Sequence, residues 1–325
     1  MTDTYFTYNE IMTQPDAWLQ ALQVASHVTL PKPATFQEIV FTGCGSGYYL
    51  ALSAAALYQE LTARTARAVP AGASLLRVAF SRSGTTTETL RAAEQWKRQH
   101  RGELVVISTG EAPLSQVADM PILVPQANEQ SVAQTRAFTS MYLAAATLCA
   151  RMGERSDLLE AMSSLPEIGR RLLHLHEAAA HELGANLKLD RFYFLGSGIR
   201  HGLACEANLK MKEMTLTHSE SFHFLEFRHG PMSMVNSETV VVGLLSDKNR
   251  TEEMAVLKEM KELGATILTL GETDTDIPFE SGVPESARAV LYLPCLQLMA
   301  FHRSVAKGLN PDRPRYLAAA VHLDL

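Results

Sequence analysis

The chain has 325 residues, which is long enough for about two domains, and its 46% apolar and 20% charged residues are typical of a globular protein. The formal net charge is −6, and Lys and Arg are scattered along the chain, which argues against a nucleic-acid partner or an anionic membrane surface. A small phosphorylated substrate is not excluded, because a small anion responds to a local cluster of donors rather than to the screened net charge.

Neither the N-terminus nor the cysteines indicate a secreted or metal-binding protein. The first residues lack the basic region and apolar core of a signal peptide, and no apolar run reaches the roughly 20 residues of a membrane span. The cysteines are far apart in the sequence, and the histidines form no metal-ligand pattern. We therefore expect a cytoplasmic protein with free thiols, no metal site and no cofactor.

The predicted elements, in chain order, form a repeat. Residues 38–57 read as a strand, a glycine-rich turn and a small-residue helix, and residues 75–111 add a strand-turn-helix-strand unit. The same order recurs in residues 191–211 and 239–272. Short apolar strands that alternate with amphipathic helices are typical of βαβ units. The predicted fold is α/β, with two tandem domains that each contain a doubly wound, mostly parallel sheet flanked by helices.

The same pattern sets the domain boundaries. Residues 151–185 lack strand signals and have helical apolar spacing interrupted at Pro166, so we expect them to connect the two domains. The tail has two prolines and an apolar end, which suggests a segment laid over the body. The predicted organisation is an N-terminal segment 1–20, a first domain 21–150, a helical connector 151–185, a second domain 186–307 and a C-terminal tail 308–325.

Two loops of the first half lie at the carboxyl ends of predicted strands, where ligands bind in open α/β sheets. Residues 43–47 contain glycines that permit close backbone approach, and they precede a helix N-terminus. Residues 81–88 offer five hydroxyl groups, a glycine and Arg82, and Thr85 with Glu88 fits a capping box. Both loops could be ordinary capped turns. One cap needs only one hydroxyl, however, so the second loop favours a phosphate site.

The aligned loop of the second half differs. Ser81 aligns with Ser246, but residues 246–251 lack the Ser-Gly-Thr run, and Asp247 is a poor neighbour for phosphate. We therefore expect phosphate in the first domain and another role for the second. A dinucleotide site at residues 43–47 is disfavoured, because the spaced third glycine and a downstream acidic residue are lacking.

The second half carries the candidate acid and base groups. Glu206, Lys210 and Glu213 have the spacing i, i+4, i+7, which places them on one helix face among apolar neighbours. They could form an exposed salt-bridged stripe, but ionisable groups on a buried helix tend to be paired or functional. His229 precedes Gly230 in a loop. A histidine there could be a surface or core residue, and it is a candidate acid or base only in combination with Glu213.

These motifs resemble the SIS (sugar isomerase) family, and in particular the isomerase half of glutamine–fructose-6-phosphate aminotransferase. The resemblance also extends to the SIS-type sugar-phosphate isomerases, deaminases and deglycases. It covers nearly the whole chain and is carried by residues 10–15 (EIMTQP), 81–86 (SRSGTT), 132–139 (VAQTRAFT), 206–213 (EANLKMKE), 228–231 (RHGP) and 314–318 (PRYLA).

The resemblance implies roles for individual residues. Glu213 would move a proton between C1 and C2 of a sugar phosphate, and Lys210 would lie close to the sugar. His229 would open the sugar ring, and it would reach in from the other subunit of a homodimer. The positions expected to bind substrate and phosphate are Ser46, Gly47, Ser81, Arg82, Ser83, Thr86, Val132 and Ala318.

The departures from the family pattern narrow the expected activity. Ala319 stands where the aminotransferase has an imine-forming lysine, and no lysine follows Lys307, so an imine from the tail is excluded. No glutaminase domain is expected. We expect aldose–ketose isomerisation, or deamination or deglycation of an amino-sugar or fructosamine phosphate. The alternative is a non-catalytic sugar-phosphate sensor, which substitution of Glu213 would not affect.

Overall fold

The computed structural model describes residues 4–30, 38–71, 78–99 and 102–320. The predicted boundaries at residues 1–3 and 321–325, and the predicted strand start at residues 75–77, lie outside this part. Within it, ten strands form two parallel sheets of five strands each, and helices flank both sheets. The predicted α/β class with two tandem, doubly wound domains is confirmed.

The two sheets have the same topology. The strands of the first are β1 Glu38–Gly43, β2 Thr65–Pro70, β3 Val78–Phe80, β4 Val105–Ser108 and β5 Met120–Leu123. Those of the second are β6 Arg191–Leu195, β7 His218–Phe222, β8 Thr239–Leu244, β9 Thr266–Gly271 and β10 Ile277–Pro278. Their spatial orders are β2-β1-β3-β4-β5 and β7-β6-β8-β9-β10, which coincide when the second set is renumbered from β6. The loop that follows β3 therefore has a counterpart in the loop that follows β8.

The helices cover the sheets and join the two halves. They are α1 Phe6–Met12, α2 Gln14–His27, α3 Ser46–Thr62, α4 Thr87–Arg98, α5 Pro113–Gln116, α6 Arg136–Met152, α7 Ser156–Met162, α8 Leu165–Ala185, α9 Ile199–Thr215, α10 Arg250–Glu262, α11 Glu285–Arg288 and α12 Leu293–Ala306. Short 3₁₀ turns occupy Pro125–Ala127, Glu226–Arg228, Pro231–Met234 and Ala289–Tyr292. Pro166 lies in the first turn of α8, where its missing N–H breaks no helical hydrogen bond.

The repeat extends to backbone conformation at the ends of equivalent helices. Gly45 (φ 53°) precedes α3, and Gly198 (φ 59°) precedes α9, so both turns use a left-handed residue that glycine adopts without strain. At the other ends, Ala63 (φ 54°) and Leu216 (φ 52°) occupy the left-handed cap position. The two halves therefore share their turn geometry as well as their strand order.

The helices α3 and α9 pack against each other and join the two domains. A Cβ added at Gly202 of α9 would lie 2.3 Å from the Tyr49 carbonyl oxygen and 2.4 Å from Ser53 Oγ, so only glycine permits this approach. Ser53 Oγ donates a hydrogen bond to the Ile199 carbonyl oxygen at 2.8 Å. This crossing brings the N-terminal end of α3, at the first glycine turn, next to the acid and base candidates of α9.

Across residues 4–30, 38–71, 78–99 and 102–320, no helix combines the length and the apolar character that a membrane span requires.

Candidate active site

Hydroxyl groups of the loop between β3 and α4 form hydrogen bonds within the loop. The Gly84 N–H donates to Ser81 Oγ at 3.1 Å, and the Thr85 N–H donates to Ser83 Oγ at 3.2 Å. The predicted capping box is wrong: α4 begins at Thr87 after Thr86, and no side-chain hydrogen bond caps it. Thr85 instead donates its hydroxyl to Ser83 Oγ at 3.1 Å.

This loop lines a small cavity of about 30 Å³. The predicted residues Gly47, Ser81, Arg82, Ser83 and Thr86 all contribute, together with Cys44, Phe80, Thr89, Gln134 and Ala319. Burial raises the pKa of the Cys44 thiol, so this wall carries no negative charge near neutral pH. The cavity thus combines hydroxyl groups with a helix N-terminus, a combination that binds phosphate oxygens well.

Arg82 does not extend into solvent from this loop. Its residue is only 7% exposed, and it donates to the Ser131 carbonyl oxygen at 3.1 Å and to the Ala319 carbonyl oxygen at 3.0 Å. Its Nη1 also lies 3.6 Å from the buried Glu129 carboxylate. Burial raises the pKa of Glu129, and the nearby Arg82 charge opposes that rise. The guanidinium therefore ties the loop after β3 to the segment before α6 and to the C-terminal tail.

Two further carboxylates fix the same segments. Glu10 Oε1 accepts hydrogen bonds from the N–H groups of Gln130 at 2.5 Å and Ser131 at 3.3 Å. Asp312 Oδ1 accepts from the Thr7 N–H at 2.8 Å and from the Thr7 hydroxyl at 2.7 Å. The Asp312 carbonyl oxygen accepts from the Val132 N–H at 3.0 Å. The start of α1, the segment before α6 and the tail are thereby held together over the site.

A larger cavity of about 190 Å³ adjoins the first. The predicted residues that line it are Ser46, Arg82, Thr86, Val132, Lys210, Glu213 and Ala318; the others are Cys44, Gly45, Gln134, Leu317, Ala319 and Ala320. Residues of the first domain, the second domain and the tail therefore enclose one space. We call it the sugar cavity below.

Lys210 forms the charged centre of the sugar cavity. Its Nζ lies 2.6 Å from Glu213 Oε2, 3.3 Å from Glu206 Oε1 and 3.4 Å from Ser46 Oγ, and Ser46 donates to Glu206 at 3.1 Å. Burial raises the pKa of Glu206 to about 8; the Lys210 charge opposes the rise and the Glu213 charge adds to it. Burial alone would lower the pKa of Lys210, but the two carboxylates hold it above its ordinary value.

The structure places His229 elsewhere. It is exposed and follows the 3₁₀ turn Glu226–Arg228, and it lines neither of the two cavities of its own chain. The structure thus brings together all the predicted site residues except this one.

Sequence reasoning missed Gln134, Glu10, Glu129 and Asp312. Gln134 lines both cavities, and its buried Oε1 has no hydrogen-bond partner among the described residues. It lies within the motif of residues 132–139, which was the available signal. The three carboxylates are far apart in the sequence, so only their folded positions identify them as supports of the site.

The loop after β8 is the counterpart of the loop after β3, and carboxylates of its own domain bind its backbone amides. The Ser246 N–H donates to Glu253 Oε2 at 2.7 Å, and the Asp247 N–H donates to Glu285 Oε2 at 3.0 Å. Arg200 forms ion pairs with both glutamates. The helix α10 begins at Arg250, only four positions after Ser246, whereas α4 begins six positions after Ser81. The shorter loop leaves no place for the Ser-Gly-Thr run.

In the described part of the chain, no three His, Cys, Asp or Glu side chains are placed to hold a metal ion together. The sequence profile of the SIS domain matches residues 36–151 and 187–281, one segment in each half. The chain belongs to the SIS domain family. Each matched segment of this SIS protein contains one of the two sheets.

Relatives of this SIS protein include an aminotransferase, a deaminase and an isomerase. The glutamine–fructose-6-phosphate aminotransferase of Thermococcus kodakarensis is 27% identical, and the alignment covers 98% of this chain but only 58% of the relative. The chain thus spans a little over half of that protein. The crystal structure of glucosamine-6-phosphate deaminase from Thermotoga maritima aligns with a TM-score of 0.81 and 27% identity, covering 98% of this chain and 99% of that one. Tagatose-6-phosphate ketose/aldose isomerase from Escherichia coli (TM-score 0.81, 22% identity, 96% of both chains) shares the fold.

Proposed function

We propose that this SIS protein is an enzyme that isomerises or deaminates a sugar phosphate. The observation that carries the proposal is the Lys210–Glu213 ion pair, which faces a cavity that continues to the hydroxyl groups of the loop after β3. A carboxylate and an anion site separated by a sugar-sized space are what proton transfer on a phosphorylated sugar requires. The relation to a glucosamine-6-phosphate deaminase of nearly identical length supports this reading.

The phosphate would bind between Ser81, Ser83 and Thr86 at the start of α4. Each hydroxyl can donate one hydrogen bond, and the first amides of the 12-residue helix add donors and a favourable dipole. Binding through neutral donors avoids the cost of desolvating a cation. Arg82 would contribute by holding the loop and the tail in place, since its guanidinium is already bonded to two carbonyl oxygens. The fixed phosphate then positions the sugar carbons without taking part in the reaction.

Glu213 would carry the proton. With the phosphate at the loop after β3, C1 and C2 of the sugar extend towards α9, where Glu213 lines the cavity. The carboxylate would remove a proton from one of these carbons and return it to the other, through an enediol or enaminol intermediate. Lys210, hydrogen-bonded to Glu213 at 2.6 Å, holds the carboxylate in one orientation and can stabilise the developing oxyanion.

The acid that opens the sugar ring would come from a second chain. His229 is exposed and outside both cavities of its own chain, yet imidazole is the side chain suited to proton transfer near neutral pH. A homodimer in which His229 of one chain reaches the sugar cavity of the other would complete the acid–base pair.

The nitrogen chemistry would depend on the substrate. Ala319, rather than a lysine, meets the cavity at the tail, so the chain offers no amine there for an imine with the sugar. A nitrogen that takes part would therefore arrive on the substrate, as in an amino-sugar or fructosamine phosphate. After proton transfer the substrate's own carbon–nitrogen double bond would be hydrolysed, which releases ammonia or an amine.

The decisive experiment is a substrate panel with wild type and Glu213→Gln. The panel contains hexose 6-phosphates, amino-hexose 6-phosphates and ketosamine 6-phosphates, and the assays measure aldose–ketose exchange and release of ammonia or amine. We expect turnover of at least one substrate, and a loss of about 100-fold or more in kcat for Glu213→Gln with binding retained in calorimetry. Exposed Glu182 on α8, changed to Gln, is the matched control. Binding without turnover by wild type would favour a sugar-phosphate sensor and overturn the proposal.

A further inference from the structure

A cavity of about 700 Å³ lies in the second domain, between α10, β9 and residues 272–276, which join β9 to β10. Its volume is within the range of small-molecule sites in proteins. None of the residues that line it also lines the sugar cavity or the cavity at the loop after β3. The α10 cavity, as we call it, is therefore separate from the site of the proposed sugar chemistry.

The first domain fills the equivalent space with its own side chains. There, residues 109–119 join β4 to β5 and include α5. Leu114 of α5 is fully buried, and it belongs to one hydrophobic cluster with Trp96 of α4 and Val106 of β4. Residues 272–276 of the second domain form no helix. Because the two sheets have the same strand order, the α10 cavity marks the place where the second copy lacks this filling.

One wall of the α10 cavity is apolar and continuous with the core. Leu257 of α10 and Ile267 of β9 line the cavity and pack in the same hydrophobic cluster of the second domain. Met254 also lines it and is 39% exposed. The flexible thioether of methionine adapts to the shape of a ligand and makes favourable contacts with aromatic rings. This wall therefore suits a ligand with an aromatic body.

Two lysines bring positive charge to the same cavity. Lys258 and Lys261 are three positions apart on α10, so they lie on one face of the helix, and both are exposed and line the cavity. In the described ranges, Lys261 has no ion-pair partner, and Lys258 has one weak contact, to the exposed Glu262 at 4.0 Å. Ammonium groups with so little pairing at the edge of an apolar wall favour a ligand that carries a carboxylate.

The wall formed by the loop between β9 and β10 offers hydrogen-bonding groups. Asp276 Oδ2 accepts hydrogen bonds from the Thr269 N–H at 2.8 Å and from the Thr269 hydroxyl at 2.7 Å, which fixes the loop against β9. Thr275 Oγ1 is buried in this wall and has no hydrogen-bond partner among the residues that the structure describes. A buried hydroxyl without a partner is unfavourable, so a polar group of a ligand would be stabilised beside it.

We propose that the α10 cavity binds a small aromatic carboxylate whose ring carries a hydrogen-bond donor. The ring lies against the apolar wall, the carboxylate lies at Lys258 and Lys261, and the donor faces Thr275. The cluster that fills the equivalent space of the first domain includes the Trp96 indole, so the architecture accommodates a two-ring aromatic group. The inference is independent of the proposed function, because it uses no residue of the sugar cavity.

The test uses two probes that differ only in charge, indole-3-propionate and indole-3-propionamide. Isothermal titration calorimetry measures their binding to wild type, to Lys258→Gln/Lys261→Gln and to the matched control Lys188→Gln/Lys248→Gln, whose two exposed lysines do not line the cavity. We expect wild type to bind the propionate with a Kd of about 1 mM or tighter and to prefer it to the amide by about tenfold. The first double variant should lose this preference, and the control should keep it.

A second pair of variants tests the place of binding. Ala255→Trp puts an indole into the cavity from α10 and should abolish binding, whereas Glu252→Trp, at an exposed position of the same helix that does not line the cavity, should leave it unchanged. In methyl NMR spectra of wild type, the resonance of Met254, assigned with Met254→Leu, should shift on addition of the propionate. Thermal unfolding of each variant confirms that the compared proteins are folded.

Several results would overturn the assignment. These are equal affinity of wild type for the two probes, a preference that survives Lys258→Gln/Lys261→Gln, binding that survives Ala255→Trp, and no binding of either probe. If wild type binds neither probe and Ala255→Trp dissociates an assembly of the protein in analytical ultracentrifugation, the cavity is an interface between copies of the chain instead.

Discussion

Ser46 donates a hydrogen bond to Glu206 at 3.1 Å, and this contact joins the first turn of α3 to the middle of α9. The two helices are equivalent elements of the repeat, so the site lies where the two copies meet. Glu206 is fully buried, and its second carboxylate oxygen has no hydrogen-bond partner in the described part of the chain. A carboxyl group in such surroundings retains its proton more strongly than one in water.

Glu206 should therefore make stability depend on pH. Burial moves its pKa from 4.5 in the unfolded chain to about 8 in the folded protein, so between these values the folded state binds more protons. Stability from this group is complete below pH 4.5 and decreases up to about pH 8. We expect the free energy of unfolding of wild type, relative to Glu206→Gln, to fall by a few kcal/mol across this range. Denaturant unfolding at several pH values measures it. A difference independent of pH would contradict the assignment.

Arg82 should stabilise the closed arrangement of the tail. Arg82→Gln removes the hydrogen bond to Ala319 and leaves Glu129 buried beside an uncharged group. We therefore expect the free energy of unfolding to fall by about 2–4 kcal/mol and proteolysis of the tail to become faster. The matched control is Arg67→Gln, whose ion pair with Glu38 is exposed and should contribute less than about 1 kcal/mol. Equal effects of the two substitutions, or an unchanged proteolysis rate for Arg82→Gln, would show that the guanidinium does not secure the tail.

Gly202 should be required for the approach of α3 to α9. A methyl group there would lie 2.3 Å from a backbone oxygen of α3, so Gly202→Ala should destabilise the protein by about 1–3 kcal/mol and lower activity by moving Ser46 away from Glu206. Gly110→Ala is the control, because nothing lies within 4 Å of its added Cβ. Chemical denaturation of both variants provides the comparison. A Gly202→Ala protein as stable as Gly110→Ala would mean that the helices can separate without cost.

The proposed exchange of His229 between chains can be tested by complementation. If His229 of one subunit of a homodimer serves the site of the other, Glu213→Gln and His229→Asn chains that are co-expressed with different tags give mixed dimers in which one of the two sites has both wild-type groups. If His229 acts across the interface, purified mixed dimers should recover about half of the wild-type kcat, while each parent variant stays inactive. If it acts within its own chain, every site of the mixed dimer lacks one group, and no activity should return.

The internal repeat made the two sheets and the loop after β3 predictable from the sequence. Short apolar strands and glycine turns in both halves were enough to predict two parallel sheets, and the loop after β3 was recognisable because its hydroxyl groups are adjacent in the sequence. The helix start was misplaced because Thr85 bonds to Ser83 within the loop instead of capping α4. Local patterns cannot distinguish these two uses of one hydroxyl.

The supports of the site could not be predicted. Arg82 was expected to bind the substrate, and the structure shows that it also donates to carbonyl oxygens 49 and 237 positions away in the chain. Asp312 binds the start of α1 across 305 positions. Such contacts depend on how the tail crosses both domains, and a single sequence contains no periodicity that would indicate it.

The two glutamates that bind the amides of the loop after β8 compete there with any anion from solution. Glu253 and Glu285 are covalently part of the domain whose amides they bind, so their effective concentration at that loop exceeds that of any dissolved anion. If the loop after β3 binds phosphate as proposed, inorganic phosphate in solution would occupy that loop at concentrations that do not displace these tethered carboxylates. The two copies of one architecture thus differ at this loop: the loop after β3 lines a cavity, whereas the amides of the loop after β8 are bound by carboxylates of their own domain.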